Sequence, residues 1–483
     1  MPATIVCHHA FRRKKSSDNL GQRDPKKLPY NLPHAVTART RSERATQHET
    51  NGDPSLSRVP RFCRLRPCPV YSQSLHSPQA FTPAAGLETL LGRPKGKMSD
   101  TPHVVTVFVG SYTESLPHVH GKAVGPHVVS LRTSDGHLSA CSADGIRLEP
   151  PVKNPSYLAV SSDARRLYVV EEAEDLNSKL VVLDIVASDQ SNGVAPHLLE
   201  SCRLETGGAG ACHVAELPAS SGRLVAFANY AGGTGFGIMT VDSLDGSLQL
   251  CASQTVVPSL FSGSFAGGRQ ERSHPHCVVF SPLNPHMMVV ADLGTNEIYS
   301  FVIRSAGGLE HVSSARAHAT GAGPRHIVFH GSVPIMYVVN ELDSTVAAYS
   351  YSPEDGSLAR APVSVTGTMP PVGASSASST AAAIRIHPNN SVLYVSNRGH
   401  DSISVFALSA DGREMSLLSC VPSGGRTPRD IWLVSSADWM LVANQDTDSV
   451  VSFRVSPCGT LLHQAFDVHV KTPVCVASAR LGA

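Results

Sequence analysis

The sequence predicts an all-β fold: a single seven-bladed β-propeller over residues 98–483, its N- and C-terminal strands sharing one blade, behind a disordered N-terminal extension over residues 1–97. Three observations predict it. Seven strand openers recur through the body, six of them followed at nearly constant spacing by a second strand. The follower missing from the last copy stands at the start of the body. No stretch of the body carries a helix-period apolar face of ordinary helix length, and no run of 18 apolar residues is present to span a bilayer.

The extension is set apart by charge. Residues 1–97 hold 17 Lys/Arg against 6 Asp/Glu, about +11, which leaves 23 against 33, about −10, for the body. Basic runs such as Arg12-Arg13-Lys14-Lys15 are interrupted by Pro, Ser and polar residues without apolar periodicity, so little can be buried to offset ordering. Asp18, Asp24, Glu43, Glu49 and Asp53 depart from the acid-poor composition of a transit peptide. The extension therefore reads as sequence upstream of a working start at Met98 in a cytoplasmic protein, with mitochondrial import as the alternative. Eleven cysteines without a Cys-x-x-Cys pair point to reduced thiols and to neither a zinc ribbon nor a disulfide framework. The acidic body lacks a basic stripe, which disfavours nucleic acid as a partner. No membrane partner is expected, and a monomer is favoured.

The openers, in order, are Asn154-Pro155-Ser156-Tyr157, Ala211-Cys212-His213-Val214, Pro275-His276-Cys277-Val278, Pro324-Arg325-His326-Ile327, Ala381-Ala382-Ala383-Ile384, Pro428-Arg429-Asp430-Ile431 and Pro473-Val474-Cys475-Val476. Second strands end at Glu171, Asn229, Asp292, Asn340, Asn397 and Asn444, 16 to 18 residues beyond the Pro or Ala of each opener. The seventh follower is Val107-Phe108-Val109-Gly110-Ser111, so one blade is divided between the termini, which closes the ring and removes its sheet edges. Third strands such as Ile298–Ile303 and Thr345–Tyr349 precede hairpin signals at Asp135-Gly136, Asp245-Gly246, Gly307-Gly308, Asp355-Gly356 and Asp411-Gly412. Residues 252–273 and 361–380 read as longer loops.

Equivalent positions of a ring surround its axis, so an alignment column is a belt around the channel. The column after the opener's Pro or Ala reads Ser156, Cys212, His276, Arg325, Ala382, Arg429, Val474. The column after the second strand reads Tyr112, Glu172, Tyr230, Leu293, Glu341, Arg398, Gln445. Two guanidinium groups converging at about 5 to 8 Å in an intermediate dielectric repel by about 2 to 3 kcal/mol, which an anionic ligand would offset. The competing reading pairs Arg325 and Arg429 with Glu341 and Asp430 in ordinary interblade salt bridges. Asp446-Thr447-Asp448 suggests a metal site, but without a calcium-loop spacing, so no metal and no cofactor is expected.

His274-Pro275-His276, Gly323-Pro324-Arg325-His326, Val338-Val339-Asn340-Glu341-Leu342-Asp343, Tyr394-Val395-Ser396-Asn397-Arg398-Gly399-His400-Asp401 and Thr427-Pro428-Arg429-Asp430 together resemble the seven-bladed lactonases, which include bacterial-type 6-phosphogluconolactonase and the fungal carboxymuconate cyclase. The resemblance runs from about residue 104 to 476. It implies a catalytic set of His276, Arg325, Glu341 and Arg429, and hydrolysis of a small anionic sugar lactone, with 6-phosphogluconolactone of the pentose phosphate pathway as the expected substrate. In that scheme the arginines hold the anionic group or developing oxyanion, and Glu341 or His276 activates water. A muconate cyclase and a non-catalytic interaction scaffold are the alternatives. The extension, the weak opener at Ala381-Ala382 and the loop insertions depart from the pattern and bear on the substrate more than on the fold.

Overall fold

A computed structural model describes residues 104–186, 196–217, 223–242, 244–254, 268–304, 308–370 and 379–479. The extension over residues 1–97 lies outside them, as do parts of the loops 252–273 and 361–380. The described residues form seven antiparallel four-stranded sheets and one two-stranded hairpin, with no α-helix among them.

The sheets occupy residues 158–205 (blade 1), 208–254 (blade 2), 275–316 (blade 3), 324–367 (blade 4), 380–422 (blade 5) and 428–469 (blade 6). Blade 7 joins the last strand, Pro473–Ala479, to Val104–Ser111, His127–Arg132 and Leu138–Ala140. The division of one blade between the termini is thus observed, with the C-terminal strand innermost.

Why the second strands read as unbroken apolar runs follows from the packing. In Met287–Asp292, Met287, Val289 and Ala291 join a core shared with blade 4, whereas Met288 and Val290 join a core shared with blade 2. Both faces are buried, so the usual polar alternation is lost. Seven such cores exist, one at every junction, including those that blade 7 makes with blades 6 and 1. The outer strands have solvent on one side and alternate instead: Met415–Pro422 and Leu461–His469 carry mostly exposed or half-buried residues.

The turns set the two belts. The second-to-third strand connections of blades 3 to 6 are equal in length and place Asn296, Ser344, Asp401 and Asp448 at the same left-handed position, with φ of 60, 54, 54 and 52°. Asn and Asp tolerate this region better than most residues. The second strand's last residue also holds its turn, as where Asp292 Oδ1 accepts the amides of His274 and Thr295 at 2.8 and 2.9 Å.

Candidate active site

The residues after the opener's Pro or Ala reach the axis because they are β-bulges. Register breaks leave Cys212, His276, Arg325, Arg429 and Val474 unpaired between flanking partners, as between Pro324↔Asn340 and His326↔Val339. A bulge leaves one residue out of the ladder and re-aims its side chain. Repeated around the ring, it turns an alignment column into a wall.

That wall bounds an open cavity of about 830 Å³ on the axis, lined by Glu172, Cys212, Tyr230, Arg269, His276, Glu341, Arg398, Arg429 and Gln445, among others. A small recess of about 20 Å³ has walls from Ser156, Glu172, Cys212, His276, Arg325, His326 and Arg429. His276 and Arg429 line both, Glu341 the cavity and Arg325 the recess, so the four sequence-derived residues meet in one place.

Glu341 is the electrostatic hub. It is 2% exposed, and its Oε2 accepts Arg325 Nε at 2.9 Å. Its Oε1 pairs with Arg398 Nη2 at 3.0 Å and with Arg269 Nη1. Burial alone would raise its pKa, but Arg398, Arg325 and Arg269 hold the carboxyl well below the usual carboxylate range. Arg325 is pushed down to about 10 by burial and by Arg398, still charged at neutral pH, and also donates to Ala382 O at 2.7 Å. The competing salt-bridge reading therefore holds for Arg325 with Glu341. It fails for Arg429, because Asp430 is taken by Arg385 at 2.9 Å and by the amide of Val476 at 2.9 Å.

Arg429 instead donates to Tyr112 Oη at 3.1 Å and Gln445 Oε1 at 3.3 Å, with its guanidinium 5.4 Å from the Tyr112 ring centroid. Tyr112 Oη donates in turn to Glu172 Oε2 at 2.9 Å. His276 is buried, and burial together with Arg325 pushes its pKa well below 6.5, so the ring is neutral. Its Nδ1, like His326 Nδ1, is buried and has no hydrogen-bond partner among the described residues. His326 Nε2 accepts from Arg325 Nη1 at 3.1 Å, which places the neutral ring's proton on Nδ1.

Several residues of the site lie beyond the sequence-derived set. Arg398, Glu172 and Tyr112 stood in the second column, but nothing in one sequence singles them out. Arg269 comes from the long loop before blade 3, outside the repeat, and stacks over Tyr230 while donating to its Oη at 2.9 Å. The hairpin of Ser115–Leu116 and Val119–His120 edges the cavity and places His118 Nε2 3.3 Å from Tyr112 Oη. The acidic residues that suggested a metal are otherwise engaged: Asp448 pairs with Lys122 at 2.7 Å, and Asp446 accepts from Thr427 Oγ1.

Fold and site together define a propeller whose axial pocket is built around guanidinium groups. Residues 106–478 match the model of the lactonase family with a 7-bladed β-propeller, and the chain belongs to that family. A 6-phosphogluconolactonase of Bacillus subtilis is 29% identical over 370 residues, covering 76% of this chain and 97% of the relative. Another 6-phosphogluconolactonase, from Formosa agariphila, is 28% identical over 72% of this chain and 92% of its own length. A solved structure of a Lactobacillus plantarum protein superposes with a TM-score of 0.65 at 28% identity, over 78% of this chain and 99% of that one.

Proposed function

We propose that the chain is a lactone hydrolase acting on a small phosphorylated sugar lactone, converting 6-phosphogluconolactone to 6-phosphogluconate. One observation carries the reading: four guanidinium groups, Arg269, Arg325, Arg398 and Arg429, surround the axial cavity and its recess, and of the four carboxyls in the same lining Glu341 is shared by three of them while Asp430 pairs with Arg385, so that among the described residues Arg429 faces the pocket without a carboxylate ion pair. A guanidinium left without a carboxylate in a pocket partly shielded from water is suited to a dianionic phosphate and to the oxyanion that develops on a lactone carbonyl. Relatives named 6-phosphogluconolactonase support the choice of substrate.

In this reading Glu341 orients the arginines and is too firmly ionised to serve well as a base at neutral pH. His276, neutral and with a free Nδ1, is placed to hydrogen-bond the lactone or its attacking water. Arg429, which has no carboxylate partner within ion-pair distance among the described residues, is the guanidinium most available to the substrate. The expected setting is the cytoplasm, with the protein as a monomer and neither nucleic acid nor membrane as a partner.

The test is the rate on 6-phosphogluconolactone, unphosphorylated gluconolactone and carboxymuconate. We expect hydrolysis of the phosphorylated lactone to have the highest kcat/KM, and Arg429→Ala to lower it by about a hundredfold or more. No rate above spontaneous hydrolysis on either lactone would overturn the reading, and turnover of carboxymuconate alone would make the chain a cyclase.

A further inference from the structure

Hydrolysis needs a group that takes a proton from water and returns it to the leaving oxygen, and the four sequence-derived residues supply no good one. Glu341 is fixed as a carboxylate by three arginines, and His276 is a weak base because burial and Arg325 disfavour its charged form. Resting on the lactonase reading, we propose that Glu172 is the proton carrier of the reaction.

Glu172 occupies in blade 1 the position that Glu341 occupies in blade 4, directly after the second strand. Its backbone is fixed on both sides, the amide donating to Asn154 O at 3.3 Å and the carbonyl accepting Asn154 Nδ2 at 3.2 Å. The side chain lines both the cavity and the recess. Among the described residues it forms no ion pair, in contrast to the three made by Glu341. Its anchor is neutral: Tyr112 Oη donates to Oε2 at 2.9 Å and itself accepts from Arg429, so the cation stands one hydroxyl away. The surrounding groups are Tyr112 and His118 of blade 7 and its hairpin, Arg429 and Asp430 of blade 6, Ser156 and Glu174 of blade 1, Cys212 of blade 2 and His276 of blade 3.

Burial raises the Glu172 pKa above the usual value, with the Ser156 hydroxyl, Arg429 and the Tyr112 hydroxyl opposing without cancelling it. Two carboxyls in one pocket with proton affinities driven apart are the arrangement in which one carries charge and the other carries protons. The recess beside Glu172 has about the volume one water needs, and its walls hold the unpartnered His276 Nδ1 and His326 Nδ1. In the reaction the Glu172 carboxylate takes a proton from water as the water oxygen bonds to the lactone carbonyl carbon. The tetrahedral intermediate then expels the ring oxygen, which takes the proton from Glu172 and becomes a hydroxyl. The new carboxylic acid loses its proton to solvent.

The experiment measures kcat and KM against pH on 6-phosphogluconolactone for the full chain, E172Q and Y112F. We expect E172Q to lose about a hundredfold or more in kcat with KM within about threefold, and the acid limb of the kcat profile to disappear. Y112F removes a hydrogen bond that favours the carboxylate, so its acid limb should move to higher pH. An E172Q protein keeping kcat within tenfold of wild type, or an unmoved limb in Y112F, would overturn the proposal and leave the lactonase reading standing. A wild type without lactone hydrolysis would overturn both. If E172Q fails to fold by circular dichroism, the limb of Y112F decides.

Discussion

Glu172 and Glu341 are the same residue at the same repeat position, yet their surroundings hold one ionised and push the other toward its neutral form. What a column cannot encode is which neighbours complete it. Arg325, Arg429, His276 and Glu341 were legible because repetition aligns them and a known family shares them. Arg269 was not, because it enters from a loop that obeys no repeat. Proton affinity was illegible too, since it depends on burial and on charges distant along the chain. The imidazoles give a testable consequence. Burial holds His276 and His326 well below 6.5 and pushes His213 down to about 3, with His213 set 4.2 Å from the Tyr157 ring. The unfolded chain binds these protons near pH 6.5, so it takes up more protons than the folded state as pH falls, and stability drops. The buried carboxyls Asp292, Glu297 and Glu172 act in the opposite sense, but they start from a lower ordinary range. Denaturation midpoints should fall progressively from pH 6.5 to 5. His213→Gln should flatten that slope by up to about 1.4 kcal/mol per pH unit; an unchanged slope would mean that His213 is not a neutral, buried group in the folded protein.

At the scale of the strand and turn, the Asp-Gly signals locate the third-to-fourth strand hairpins, where Gly136, Gly246, Gly356 and Gly412 have φ of 82, 74, 78 and 71°. Their second role was not legible. The turn of one blade receives a hydrogen bond from an aromatic side chain on the second strand of the blade before it. Tyr337 Oη of blade 4 donates to Gly412 O of blade 5 at 2.8 Å, Tyr394 Oη of blade 5 to Gly459 O of blade 6, and Trp439 Nε1 of blade 6 to Thr133 O of blade 7 at 2.9 Å. From sequence these aromatics read only as strand formers. Each is a fastening between blades, far from the axis. Tyr337→Phe leaves the buried ring in place, removes the donor and strands the Gly412 carbonyl, at a cost of about 0.5 to 1.5 kcal/mol. The expected result is a melting temperature lower by a few degrees with lactone kinetics unchanged, measured by calorimetry and steady-state assay; an unshifted melting point would show that water replaces the tyrosine without loss.

For the molecule as a whole, the ring has no redundant member, because each blade contributes a face to two of the seven cores. The sequence showed this closure in its cyclic displacement: an opener without a follower at one end and a follower without an opener at the other. The last strand, Pro473–Ala479, buries Val474, Cys475, Val476 and Ala477 at 1 to 3% exposure and completes the cores of blade 7 with blades 6 and 1. It pairs with Val104–Ser111 and carries Val474 into the belt that holds Arg429 and His276. Ending the chain after Thr472 therefore removes one of the 30 strands among the described residues but exposes a sheet edge and opens two cores at once, and an exposed edge is a template for pairing with other chains. We expect that truncated protein to be aggregated and inactive, as judged by size-exclusion chromatography and lactone hydrolysis. By contrast Leu462→Asp, on the outer strand where the side chain is 56% exposed, should stay soluble and active. Equal tolerance of both changes would mean that the strand pairing between the termini is dispensable, and the axial site would then have to be held by the remaining six blades alone.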